Sequence, residues 1–223
     1  MKPKKTNARQ PKKEYAEVEQ KTMKAAEPAV AYGIQRYTYA DYLNWTDEIR
    51  REIIDGIVFE LSSVTRKHAV ATGNFLGITM SYLKQIKSKY EIYTAPFDVR
   101  LPINGETDDN KIFNVVQPDI CVICDPAKLD EKGCIGAPDL IVEVISPSTS
   151  KKDLNQKFFL YEKSGVREYW IVFPNDKAVT VFLLQPDCKY DDGTTYEVVY
   201  GRTKVPVQTL EGLIIDLEEL FSD

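Results

Sequence analysis

The chain has 223 residues, 43% of them apolar and 28% charged, which is the balance of a globular protein long enough to bury a core. No run approaches the ~18 apolar residues of a membrane-spanning helix, and the amino terminus lacks the apolar centre of a secretory signal, so no membrane partner and a cytoplasmic setting are expected. The formal net charge is −5, but residues 1–24 carry eight Lys or Arg against three Glu. A basic stretch ahead of an acidic body predicts a disordered, solvated tail over residues 1–35 and a folded domain over 36–223. Such a tail can touch phosphates non-specifically, whereas the acidic body is by itself no argument for nucleic acid.

Thr38 is placed to cap a short helix over Tyr39–Asn44. In RREIIDGIVFELSS, Asp55-Gly56 signals a hairpin with strands at 51–54 and 57–62. Thr65 to Ser88 is the longest helical stretch, with Val70, Phe75, Leu76, Met80, Leu83 and Ile86 at helical spacing. Tyr90 to Leu101 reads as a strand bent at Pro96, Asn104 to Asn110 as a loop, and Ile112 to Cys124 as a strand with Pro118 at a bulge or edge. A turn-rich loop covers Asp125 to Ala137. Then come a strand at 139–145, a helix from Lys152 to Lys163 ended by Gly165, strands at Glu168–Phe173, Val179–Leu184 and Tyr196–Tyr200, and a short helix at Asp216–Phe221. Strands followed by a helix and one more strand give an α/β sheet with helices on its faces.

Cys121 and Cys124 have the C-x2-C spacing of some zinc sites. In a strand that odd offset sends the two side chains to opposite faces, and the only histidine, His68, is far away in sequence, so buried reduced thiols are the better reading.

The most informative stretch is Ala137 to Asp153, APDLIVEVISPSTSKKD. Its centre, LIVEVI, is an unalternating apolar run of the kind that forms a strand buried on both faces. Glu143 sits inside it, and a carboxylate there needs a metal, a cation or a raised pKa. Upstream, VVQPDICVIC is a second apolar run, with Asp119 directly after Pro118. If the helix after Glu143 folds back over its strand, Lys157 passes close to Glu143: the strand leaves Glu143 roughly 10 Å from its end, and Lys157 lies roughly 9 Å into the helix. Two carboxylates holding a hard cation, with a lysine beside them, can hydrolyse a phosphodiester.

The residues QPDI, APDLIVEVISPSTSKKD, the Lys157–Tyr161 K-x3-Y and GVREYWIV, with the hairpin EIIDGIVFELS and the helix near His68, resemble an uncharacterised bacterial family of restriction endonuclease-like proteins within the PD-(D/E)XK nuclease superfamily. The resemblance covers about residues 37 to 185. It implies a restriction endonuclease-like core, with a central mixed β-sheet flanked by helices, an N-terminal β-hairpin and C-terminal strands. It also implies Mg²⁺ (or Mn²⁺), a DNA substrate and endonuclease activity. Asp119 then takes the place of the motif aspartate and Glu143 that of the glutamate. The superfamily's lysine would fall at Ile145, so Lys157 is the substitute.

Each residue has a plainer reading. Glu143 could be a structural ion pair, Asp119 a turn aspartate, and Lys157 a helix-surface partner of Asp153. Asp98, on a neighbouring predicted strand, is a third candidate metal ligand. Glu60 could face the cleft in one register, His68 could pack or cap, and Ser146 and Asp153 could support the site from the helix start. The rival to an enzyme is a nuclease fold kept as a catalytically inactive binding or regulatory module. A homodimer would suit cutting two strands.

Overall fold

A computed structural model describes residues 35–103, 105–145 and 151–222; side chains of 151–153 are outside that set. The expected basic tail and Ser146 therefore lie outside the described residues, as does the Asp153 side chain. Thr38 caps α1 (Tyr39–Tyr42) through a reciprocal bond with Asp41. The hairpin β1 (Arg51–Ile54) and β2 (Ile57–Glu60) turns at Asp55-Gly56, both with positive φ, as a tight hairpin requires. Thr65 caps α2 (Arg66–Gln85) by accepting from His68 N. Among the described residues no helix is long and apolar enough to cross a membrane.

The predicted strands over 90–101 and 112–124 are each broken in two. β3 (Glu91–Thr94) and β4 (Val99–Arg100) flank a cis Ala95–Pro96 peptide; β5 (Val115–Val116) and β6 (Ile120–Ile123) flank Pro118. Proline has no N–H to give to a ladder, so pairing lapses at both places. The halves then join different sheets. Among the described residues the remaining strands are β7 (Leu129–Asp130), β8 (Gly133–Ile135), β9 (Leu140–Val144), β10 (Glu168–Phe173), β11 (Ala178–Leu183), β12 (Thr194–Glu197), β13 (Lys204–Pro206) and β14 (Ile214–Asp216), with α3 (Lys151–Ser164) and α4 (Leu217–Leu220). One six-stranded sheet runs β2-β1-β5-β4-β8-β7 and the other β12-β11-β10-β9-β6-β3; β13 and β14 form a separate ribbon. The expected mixed sheet is the second of these. The first sheet, the β7–β8 hairpin within the expected 125–137 loop, and the β13–β14 ribbon are additions to the sequence reading.

β9 is the strand LIVEV, and all five of its residues are buried. It lies parallel to β10 and antiparallel to β6, so both edges are paired. The alternation of side chains sends Leu140, Val142 and Val144 to one face. There they join Ile120, Val122, Trp170, Val172 and the α2 residues Ala71, Phe75 and Leu83 in the main core. The C-terminal residues Val205, Val207, Leu210, Leu213, Ile215, Leu217 and Leu220 complete that core. Asn74 of α2 donates to the backbone carbonyls of Glu219, Leu220 and Ser222, tying the chain end to this helix. A buried carboxylate, Glu168, accepts from Gln208 N and Thr209 N and fixes the entry to the ribbon's turn. The opposite face of β9 carries Ile141 and Glu143 and lies against α3, whose Phe158 and Tyr161 meet Phe182 and Tyr169 with ring centroids 5.0 and 5.1 Å apart.

Gly133 opens β8 at φ +125°, where an added Cβ would come within 2.2 Å of the Asp98 carbonyl oxygen. Gly133→Ala is expected to cost about 1–3 kcal/mol, through strain and displacement of the β4–β8 pairing, read as a lowered midpoint in denaturant unfolding.

Candidate active site

Continuing the antiparallel β6–β9 register by one residue, from the Ile120–Val142 pair, sets Asp119 directly opposite Glu143. Cross-strand partners share a face, so the two carboxylates are neighbours on the side of the sheet that α3 covers. Asp119 is aimed through one oxygen, Oδ2, which accepts from Val144 N at 2.7 Å and lies 3.1 Å from His68 Nε2. His68 reaches it from the first turn of α2. Glu143 is aimed in a matching way, with Oε1 accepting from Lys157 Nζ at 2.9 Å and from the Tyr161 hydroxyl at 2.6 Å. Lys157 and Tyr161 are four residues apart on α3 and so present to one face. The other oxygens, Asp119 Oδ1 and Glu143 Oε2, have no hydrogen-bond partner among the described residues.

Lys157 also meets Glu52 of β1, whose Oε1 lies 2.9 Å from the ammonium nitrogen and accepts from Gln117 N at 2.8 Å. One cation thus serves two acids, Glu52 and Glu143, that are 2% and 7% exposed. Burial pushes the Glu143 pKa up, to about 7; Lys157 pulls it back, and the charges of Asp119 and Glu52 add to the rise. Burial works against the Lys157 charge, but Glu143 and Glu52 outweigh it and hold its pKa above the ordinary value. The Tyr161 hydroxyl is pushed well up, first by burial and then by Glu143, so it remains a donor.

These groups line a cavity of about 210 Å³ between the hairpin, the start of β6, the end of β9 and α3. Asp119, Glu143, Lys157 and His68 all border it. Glu60 is exposed at its rim, 3.7 Å from Arg51; it pairs across from Arg51, while Glu52 pairs with Phe59, so the hairpin turns Glu52 inward in place of Glu60. Asp98 is not brought to this cavity. It accepts from the hydroxyls of Tyr39 and Tyr42 at 3.3 and 3.2 Å and from Gln117 Nε2 at 2.9 Å, and it lines a separate groove on the far side of Gln117. The break at Pro96 is the reason: the chain leaves the β3 sheet before it reaches Asp98. Among the described residues no three His, Cys, Asp or Glu side chains come together as a ready-made metal cage.

Sequence reasoning missed Glu52. The signal was present, since REII is an acid within a short apolar strand, the same anomaly that exposed Glu143. Tyr161 stood in the K-x3-Y motif with no role given to it, and nothing in sequence spacing pointed to Gln117 as a bridge.

The architecture is that of the restriction endonuclease-like nuclease fold, with two large mixed sheets and few helices. It is similar to the crystal structure of a putative nuclease from Anabaena variabilis, with a TM-score of 0.65 at 18% identity over 82% of this chain and 97% of that one. The sequence profile of the Uma2 family, described as "Putative restriction endonuclease", matches residues 39–218, and the chain belongs to that family. This is the family that the APDLIVEVISPSTSKKD and GVREYWIV motifs suggested. An uncharacterized protein of Synechocystis sp. is 26% identical over 156 residues, 69% of this chain and 74% of that one.

Lys157→Met leaves two buried carboxylates without their cation, an expected loss of about 3–5 kcal/mol near pH 8. Without Lys157 the Glu143 pKa rises further, so the folded state holds a proton that the unfolded state releases. The variant is therefore most stable at acidic pH and loses stability as pH rises through that raised pKa. Denaturant unfolding with chelator present at about pH 5.5 and pH 8 checks this; an equal penalty at both would contradict it.

Proposed function

We propose that the protein is an endonuclease that hydrolyses DNA phosphodiester bonds with Mg²⁺ or Mn²⁺ and a water nucleophile. The observation that carries the reading is the register pairing of Asp119 with Glu143, each with one oxygen held by protein donors and the other without a partner among the described residues. Hard carboxylate oxygens suit Mg²⁺, which is usually held by one or two carboxylates, with waters and substrate phosphates completing its shell, so a three-acid cage is not needed. The buried Gln156 Oε1 beside them has no partner either, an acceptor suited to a bound water. The metal, when bound, would lower the pKa of a water and polarise a phosphoryl oxygen.

The chain's own residues then have distinct tasks. Asp119 and Glu143 would hold the cation. His68 and Val144 N orient Asp119, and Tyr161 orients Glu143. Lys157, supplied from α3 where Ile145 stands at the superfamily's lysine position, sits beside Glu143 to steady the attacking water or the charge that develops on phosphate. His68 is a positioning residue in this scheme, and its loss is expected to cost about 10–100-fold in metal affinity.

A second reading is favoured by one specific observation: the Lys157 ammonium already bridges two carboxylates, which is what a catalytically inactive binding module would keep for stability. The two readings part experimentally. With an active site, Asp119→Asn and Glu143→Gln each abolish Mg²⁺-dependent cleavage of plasmid DNA and Mn²⁺ binding by calorimetry, while circular dichroism shows the fold retained. Undiminished cleavage in either variant rejects this site, and a wild-type protein that binds neither metal near neutral pH rejects the enzyme.

A further inference from the structure

The cavity lining has a charge problem for an anionic substrate. Among the described residues its acids are Glu52, Glu60, Asp119 and Glu143, and its permanent cations are Arg50 and Lys157. The Lys157 charge is already shared by Glu52 and Glu143, at 2.9 Å each, so it does little to offset the remaining acids of the lining. Arg50 differs. Among the described residues it forms no ion pair, and its Nε and Nη2 donate, at 3.0 and 2.9 Å, to one neutral acceptor, Oε1 of Gln117. It is exposed to solvent, and its Nη1 has no partner among the described residues. Its charge is thus unmatched among the described residues, and two hydrogen bonds to Gln117 orient its guanidinium.

What sets the orientation lies on the far side of Gln117, a residue only 8% exposed. Gln117 Nε2 donates to Asp98 Oδ1 at 2.9 Å and to the Tyr42 hydroxyl at 3.1 Å. A guanidinium only donates, so the amide must turn its carbonyl to Arg50 and its NH₂ to Asp98. Tyr39 and Tyr42 donate to Asp98 in turn, at 3.3 and 3.2 Å. The outcome is a guanidinium tethered along one edge with the other edge open at the mouth of the acid cavity. A planar fork of that kind matches two oxygens of a phosphate group.

We propose that Arg50 binds a backbone phosphate of the DNA substrate, presented by the Asp98–Gln117 pair; the assignment rests on the phosphodiester reading of the neighbouring cavity. Arg50 offsets the negative lining at the entrance, where an incoming strand first arrives. Asp98 serves as the fixed end of the chain of hydrogen bonds, which gives a task to a half-buried acid that stands apart from Asp119 and Glu143.

The test is fluorescence anisotropy with a short fluorescein-labelled duplex, with EDTA present so that nothing is cut, between about 50 and 200 mM salt. Arg50→Gln is expected to weaken binding about tenfold for any sequence and to reduce the slope of log affinity against log salt by about 1, the mark of one lost phosphate contact. Gln117→Leu should weaken binding in the same direction, and the double variant should be no weaker than Arg50→Gln alone, because the two act as one unit. Thermal unfolding of each variant separates loss of contact from loss of fold. Unchanged affinity and slope in Arg50→Gln overturns the assignment, as does weaker binding at an unchanged slope. If the wild-type protein cuts DNA and Arg50→Gln binds normally, this assignment alone fails. A wild-type protein that neither binds nor cuts DNA removes both it and the nuclease reading.

Discussion

A single ammonium group, Lys157 Nζ, allows two carboxylates to exist inside this protein. Glu52 comes from the hairpin, Glu143 from the central strand and Lys157 from α3, and the three meet at 2.9 Å. Charges removed from water cost several kcal/mol each unless geometry and further hydrogen bonds compensate them. Here Tyr161 and Gln117 N supply those bonds. The cluster pins three otherwise separate elements to one point, and Asp119 stands next to that point because of its register with Glu143. The site is thus organised by electrostatic necessity as much as by apolar packing.

Much of this could be read from the residues alone. An acid inside LIVEVI has few structural explanations, and a helix folding back over its own strand has few places to put a lysine, so Glu143 and Lys157 were legible together. Asp119 was legible because Pro118 marks the end of a ladder and an acid follows it. Asp98 misled for a related reason: alternation assigned it to a continuing strand, but periodicity does not say when a chain abandons one sheet for another. Glu60 was named for the cleft in one register and Glu52 was passed over, since only the pairing of Glu52 with Phe59 shows which acid turns inward. Hydrogen bonds between side chains distant in sequence, such as Gln117 with Arg50 and Asp98, leave no trace in local spacing.

The two prolines that break the predicted strands also explain the location of the acid-lined cavity. Each marks a place where the chain passes from one six-stranded sheet to the other. The first crossing carries Asp98 and the second carries Gln117 and Asp119. At such a seam backbone pairing lapses, polar side chains are free of the alternating pattern, and both sheets border the same space. A cavity with acids on one side and an arginine at its mouth is what the seam leaves open.

The apolar stripe of α2 that carries Phe75 and Leu83 is roofed by Val205 to Leu220, and Asn74 reaches across 145 residues of sequence to bond Glu219. Those roofing residues are synthesised only after both sheets. Until they are translated, the part of that stripe turned away from the sheet lacks its cover, and contacts of such long sequence separation form slowly.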